Sequence, residues 1–294
     1  MTRHRVLIAV SLPVWLALAG CGNANSSFEE LSEARHLSGD LEVAFTKATG
    51  AANHAVMADT DETSARYVQE ANAEKQTIRD RTGRLRTLLE KLRYSDELRT
   101  LGEFEGHFAD YDKVDRQVLE FAVENTNVKA QRLSFEAGQG AADAFRDALQ
   151  AIASRRDTRE AWRVKATCAT ALAAVREIQV LQARHIPNAD DGSMTEIEDR
   201  MKAEEKTARD ALAALPALVG PAAGPTVTAA TAAMDRVMAV NGQIVALSRR
   251  NTNVRSLALS LNEKQRLAPP CQLSLRQLRE ALARHGQRQG RWGA

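Results

Sequence analysis

Asn125-Thr126-Asn127-Val128-Lys129 returns as Asn251-Thr252-Asn253-Val254-Arg255, 126 residues further along the chain. At the same offset Gln117-Val118-Leu119 aligns with Gln243-Ile244-Val245, and Leu133-Ser134 with Leu259-Ser260. Further upstream Thr77-Ile78-Arg79-Asp80 matches Thr207-Ala208-Arg209-Asp210, and the acidic turn Asp59-Thr60-Asp61 corresponds to Asp190-Asp191-Gly192. The spacing changes across Pro216–Pro225, where the two connections are built differently. Collinear matches along most of both halves point to internal duplication. Each copy must then be a unit of supersecondary structure that can be laid down twice.

Composition decides what that unit is. Gly (16) and Pro (7) are sparse in 294 residues, and aromatics are 4%. A sandwich, a barrel or a Gly-rich phosphate-binding fold needs turn residues far more often. Ala, Leu, Arg, Glu and Gln dominate, the strong helix formers. Apolar residues recur at three and four spacing: Phe28, Leu31, Leu41, Phe45 and Ala48, then Ile78, Leu85, Leu88 and Leu92. Tyr111, Val114, Val118, Phe121 and Val128 form a third stripe, matched by Val237, Val240, Ile244, Leu247 and Val254. The pattern predicts helices over 27–58, 62–95, 97–135 and 139–156, and over 158–186, 193–216, 225–262 and 270–286. Breaks are expected after Met57, at Pro187, through Pro216–Pro225 and at Pro269-Pro270. The expected fold is all-α: two tandem antiparallel four-helix bundles formed by internal duplication, 27–157 and 158–286, with a basic tail at 287–294. The junction reads two ways. Residues 141–186 contain neither Pro nor Gly, so one helix could cross it, whereas Asp157 with Glu160 makes a capping box that starts a new one. A bend near 154–158 is favoured.

The N-terminus reads as an address. Two arginines precede the apolar run Val6–Leu18, and small residues lead to Leu18-Ala19-Gly20-Cys21. This is the layout of a secretory signal, too short to span a ~30 Å hydrocarbon core comfortably. Leu-Ala-Gly-Cys resembles the lipobox of bacterial lipoproteins. The resemblance implies a signal peptide over 1–20, acylation of Cys21 as the new N-terminus, and a lipidated tether over 21–26. Gly22 after the cysteine implies, in that family, the periplasmic face of the outer membrane. The whole formal charge of +2 belongs to Arg3 and Arg5, so the mature chain is balanced. Nothing in it resembles the basic field of a nucleic-acid binder.

The stretch Phe121–Ser134, preceded by Phe108 and Tyr111-Asp112, resembles the third helix of the periplasmic four-helix sensory domain of methyl-accepting chemotaxis receptors. The unit length fits that family too. The resemblance implies a module that binds organic acids or amino acids and reports by small helix displacements. The chain departs from the family in lacking a second membrane span, a linker coiled coil and a signalling hairpin. A sensory-type module would therefore act through a partner protein or a homo-oligomer. The alternative is a scaffold lipoprotein whose long helices oligomerise or dock envelope proteins without a small ligand.

Single residues sharpen these readings. Asn125 and Asn251 fall on apolar stripes at equivalent places. They read either as buried polar residues that fix register or as ligand contacts, with Arg132 or Arg255 supplying charge for a carboxylate. Cys168 and Cys271 also lie on apolar stripes. An even pair in an oxidising compartment invites a disulfide, but their heights along the helices match poorly, leaving two buried thiols as the other reading. His54 and His185 end equivalent helices, where a cation suits the dipole. No metal-ligand spacing, no cofactor motif and no nucleophile–base signature appears, so a non-enzymatic protein is expected. Arg276, Arg279, Arg284, His285, Arg288 and Arg291 make the C-terminal end the most basic stretch.

Overall fold

Helix formers spaced for one apolar face fold as expected, and no strand occurs among the described residues. The computed structural model describes residues 21–155 and 160–290, without the side chains of 21–25 and 286–290. The expected signal peptide at 1–20, the Cys21 side chain expected to carry the acyl chains, Asp157 at the junction and residues 291–294 of the expected tail lie outside the described residues. The backbone of the expected tether at 21–26 belongs to the first helix and that of 287–290 to the last.

The first three helices are α1 (Cys21–Val56), α2 (Asp61–Leu92) and α3 (Ser95–Glu124). They are followed by α4 (Thr126–Leu133) and α5 (Gln139–Ala153), joined by a π-turn at Ser134–Gly138. The second series is α6 (Ala161–His185), α7 (Asp191–Val219) and α8 (Gly224–Arg250). It ends with α9 (Thr252–Leu259) and α10 (Gln265–Gly290), joined by a π-turn at Ser260–Lys264. The matched sequence positions thus carry matched elements, down to the π-turns.

Three expectations need correction. Helices were expected to run through Asn125 and Asn251. Both residues instead stand in the left-handed region, at φ 52°, and end α3 and α8. Asn tolerates that conformation better than any residue except Gly. Conversely, Pro269 and Pro270 do not break the chain but lie inside α10. An interior proline costs about 3 kcal/mol. Just beyond, Cys271, Leu275, Leu278 and Leu282 are fully buried, and full burial of one Leu alone returns ~1.5–3 kcal/mol. Phe28, expected on the first stripe, is 62% exposed.

The compact units also fall differently from the consecutive stretches 27–157 and 158–286. One unit takes the chain up to Ala48, Asn72–Asp110 and everything from Leu267; the other takes Thr49–Ala71 and Tyr111–Arg266. In the first, Leu31, Leu41, Phe45, Ile78, Leu85, Leu89, Leu101 and Phe104 are buried together with the leucines of α10. Phe45 meets Phe104 and Phe108 edge-on, with ring centroids 6.5 and 6.3 Å apart. Polar contacts fasten α10 to α1 and α3: Arg279 to Glu42 at 2.7 Å and His285 to Glu97 at 2.8 Å. In the second unit Phe145, Leu149 and Ile152 of α5 share one core with Val175 and Ile178 of α6, Leu212 and Leu215 of α7, and Met234 and Val237 of α8. Each unit therefore mixes the two matched stretches. In the first, α10 joins that unit's portions of α1, α2 and α3. In the second, α5 shares a core with α6, α7 and α8, and the unit also takes the remaining portions of α1, α2 and α3. The reason is local: the break at Asn125 or Asn251 redirects the chain before its fourth helix begins.

Candidate functional site

Two helix starts face each other in the second unit and cap one another. The first turn of any helix leaves backbone N–H groups without intrahelical partners. In α4, the N–H of Thr126 donates to Oγ1 of Thr252 (3.0 Å) and the N–H of Asn127 to Oδ1 of Asn253 (3.0 Å). In α9, the N–H of Thr252 donates to Oγ1 of Thr126 (3.2 Å) and the N–H of Asn253 to Oδ1 of Asn127 (3.1 Å). Neither helix has a side-chain cap from its own leading asparagine. The asparagine amides close the arrangement: Asn253 Nδ2 donates to Asn125 Oδ1 (2.6 Å) and Asn127 Nδ2 to Asn251 Oδ1 (2.8 Å). Asn127 Nδ2 also reaches the carbonyl of Ile186 at 2.6 Å, and Asn251 Nδ2 that of Asn188 at 2.7 Å. This reciprocal clasp is what the repeated Asn-Thr-Asn builds.

The clasp engages Asn125 and Asn251 in a way the ligand expectation did not foresee. Asn125 Nδ2 donates to Asp61 at 3.1 Å, and Lys129 pairs with the same carboxylate at 3.2 Å. Arg132 is exposed, and Arg255 lies over the ring of Phe121 at 4.5 Å. Neither guanidinium is a partner of either asparagine. Cys168 and Cys271 are free, buried thiols rather than a bridge, and they belong to different compact units. Burial raises both pKa values, that of Cys271 to about 12.

The two terminal histidines diverge. His54 is exposed and stacks on Tyr67 with centroids 5.0 Å apart. His185 is fully buried, with Nδ1 2.7 Å from Ser248 Oγ and Nε2 2.9 Å from Glu198 Oε1. Serine, imidazole and carboxylate are thus in line, but the Ser248 hydroxyl is itself fully buried and donates to the His185 carbonyl at 3.1 Å. The line ties the ends of α6, α7 and α8 together. Burial pushes the Glu198 pKa up, yet hydrogen bonds from Arg249 (2.5 Å) and His185 outweigh it, and the carboxyl sits below its usual value. Beside the second π-turn, the buried Lys264 ammonium is 3.1 Å from Asp115. At the matched places stand Gly138 and Asn241, and Gln182 Nε2 donates to Asn241 at 2.9 Å.

A pocket of about 280 Å³ opens at the first π-turn. Gln131, Ser134, Phe135 and Gln139 form one wall; Gln179 and the apolar end of α6 at Ile186 and Pro187 form the other. Ser134 donates to the buried Gln182 at 2.9 Å, and Gln179 Nε2 to Gln139 Oε1 at 3.2 Å. Ile186 belongs to both constellations: it lines this pocket, and its carbonyl receives Asn127 of the clasp. Sequence reading missed the pocket because Gln131, Ser134 and Gln139 resemble any solvated helix face. The π-turn that gathers them has no sequence mark of its own, although such turns are frequent at functional sites.

Among the described residues no group of three or more His, Cys, Asp or Glu is placed to hold a metal ion, and no helix is long and apolar enough to cross a membrane. Fold and site define an all-α helical-bundle protein with a doubled internal clasp. No family model, curated protein or solved structure matches the chain.

Proposed function

We propose that the protein is a lipid-anchored periplasmic module of sensory type, non-catalytic, which binds a small molecule in its second unit and acts through a partner protein or a second copy. The observation that carries the reading is Ile186. An occupant of the pocket touches the residue whose carbonyl is held by the clasp, so occupancy and helix position are mechanically linked. A ligand that prefers one helix arrangement shifts the population by its differential affinity. The resemblance of Leu18-Ala19-Gly20-Cys21 to a lipobox supports the anchor, and Gly22 after the cysteine supports an outer-membrane location.

The ligand arm is tested by thermal shift on the full mature chain carrying Cys21→Ser to keep it acyl-free. Organic acids, amino acids and neutral small molecules are screened at millimolar concentration. A saturable rise in Tm is expected for at least one class; a flat screen would remove the ligand-binding reading. The anchor is tested by labelling cells with a palmitate analogue. Label on the wild type and none on Cys21→Ser is the expected pair, and equal labelling overturns the anchor.

Exposed apolar side chains favour a second reading, a docking scaffold. Val43, Met57, Leu257, Leu261 and Leu273 are all between 46% and 80% exposed. A flat ligand screen combined with a concentration-dependent mass in analytical ultracentrifugation would support it.

A further inference from the structure

The pocket at the first π-turn carries chemistry that narrows its ligand beyond the ligand-binding reading on which this inference rests. Its volume of about 280 Å³ lies just under the roughly 300–1,000 Å³ of sites for drug-sized ligands. It holds one or two fused rings, not a peptide or an oligosaccharide.

Its lining is uncharged, and the charges behind it are already matched. Arg176 donates to Gln179 Oε1 at 2.8 Å and lies 3.6 Å from Asp143. Asp143 in turn accepts from Gln139 Nε2 at 3.0 Å and from Arg146 at 2.6 Å. A carboxylate or ammonium ligand would lose water here without gaining an ion partner. The same charged neighbours fix which way the amides point. Guanidinium holds the Gln179 oxygen and carboxylate the Gln139 nitrogen, so each amide has a defined polarity. Gln179 keeps a second N–H, Gln139 keeps both an N–H and a lone pair, and the Gln131 amide makes no hydrogen bond among the described residues. The site offers donors and acceptors side by side, the pattern with which glutamine reads the edge of a nucleobase. Phe135 completes it: its ring is 73% exposed and available as a stacking platform, and every base has a π-face to lay on it.

The matched stretch supplies an internal control. There Leu257, Ser260, Leu261 and Gln265 take the places of Gln131, Ser134, Phe135 and Gln139, around an equivalent π-turn. The turn forms without the amide at the first position or the aromatic ring at the third. Those two side chains are therefore not what a π-turn requires.

We propose that this pocket binds a small uncharged planar heterocycle of the nucleobase class, held by the amides of Gln131, Gln139 and Gln179 and stacked on Phe135. The test uses the full mature Cys21→Ser chain with adenine as the probe, followed by thermal shift and isothermal titration calorimetry, with nicotinamide, succinate and glutamate alongside. Saturable binding of adenine is expected, weakened at least tenfold by Phe135→Ala and by Gln179→Ala, and unchanged by Leu261→Ala. Each variant's own Tm and circular dichroism establish that it is folded. If succinate or glutamate binds and the heterocycles do not, the inference falls while the ligand-binding reading stands. If none of the four binds, the inference falls, and the wider screen alone decides that reading. Adenine binding that survives both Phe135→Ala and Gln179→Ala overturns the assignment of the site.

Discussion

Asn125 and Asn251 each do two jobs that pull toward different replacements. The left-handed backbone asks for Gly or Asn, whereas the clasp asks for an amide. Ala fails both. Left-handed geometry costs it roughly 1–2 kcal/mol, and each lost hydrogen bond about 1 kcal/mol more. Asn251→Ala should therefore lower the denaturation midpoint further than Asn251→Gly, which loses only the bonds to Asn127 and Asn188; equal effects would show that the backbone carries no strain. Thr126 gives a cleaner reading of the capping. Thr126→Val keeps shape and removes the acceptor for the Thr252 N–H, so a loss of about 0.5–2 kcal/mol is expected. Glu198 belongs at this scale too. Its pKa is depressed in the folded protein, so its contribution is fully present above the unfolded carboxyl value, about 4.3, and is lost as pH falls through the lower folded value. Melting temperature followed from pH 6 to pH 3 should fall less steeply in Glu198→Gln than in the wild type. Parallel curves would refute the linkage.

At the scale of elements, the helices themselves were legible because 3.6-residue periodicity is written in the residues that bury. Leu31, Leu41, Phe45, Ile78, Leu85, Val118, Val237 and Ile244 all sit in cores, as their spacing predicts. What the spacing could not show is where a continuous stripe is cut. Asn125 is fully buried and keeps the period, so nothing in the pattern distinguishes a polar residue that fixes register from one that breaks the helix. The reverse error at Pro269-Pro270 has the same origin: a propensity of a few kcal/mol yields to the tertiary burial of four following residues. The π-turns were illegible altogether, and with them the pocket. One of them places Lys264 against Asp115, both almost fully buried. Removing one member of such a pair destabilises by about 3–5 kcal/mol, while replacing both with apolar groups is often neutral. Asp115→Leu alone should therefore be far more damaging in urea denaturation than Asp115→Leu with Lys264→Met. Additive losses would mean that the pair is no unit. Free thiols on two of these elements allow a simple check of burial. With Cys271 held near pKa 12, neither Cys168 nor Cys271 should react with maleimide in the native protein at pH 7.5, and both should react in guanidinium.

On the scale of the whole molecule, the exchanged fourth helices separate two architectures that a sequence alignment treats alike. If 27–157 were a self-sufficient bundle, that fragment would melt cooperatively as a monomer. Without α10 it lacks the leucines that complete the core of Leu41, Phe45 and Phe104. It should therefore be unfolded or self-associated by size-exclusion chromatography and circular dichroism. A monomeric, cooperative melt of 27–157 would restore the tandem arrangement. The clasp has a further consequence. Residue 126 meets 252 and 252 meets 126, which is the isologous contact that two-fold dimers make, here enclosed in one polypeptide. In a homodimer every substitution appears on both sides of the axis at once. Covalent joining lifts that restriction, so one side can keep a lysine–aspartate pair where the other has Gly138 and Asn241, and leucines where the other has Gln131 and Phe135. The chain holds a symmetric frame in place by Asn-Thr-Asn, which must stay the same in both halves, and is free to specialise everywhere that frame does not reach.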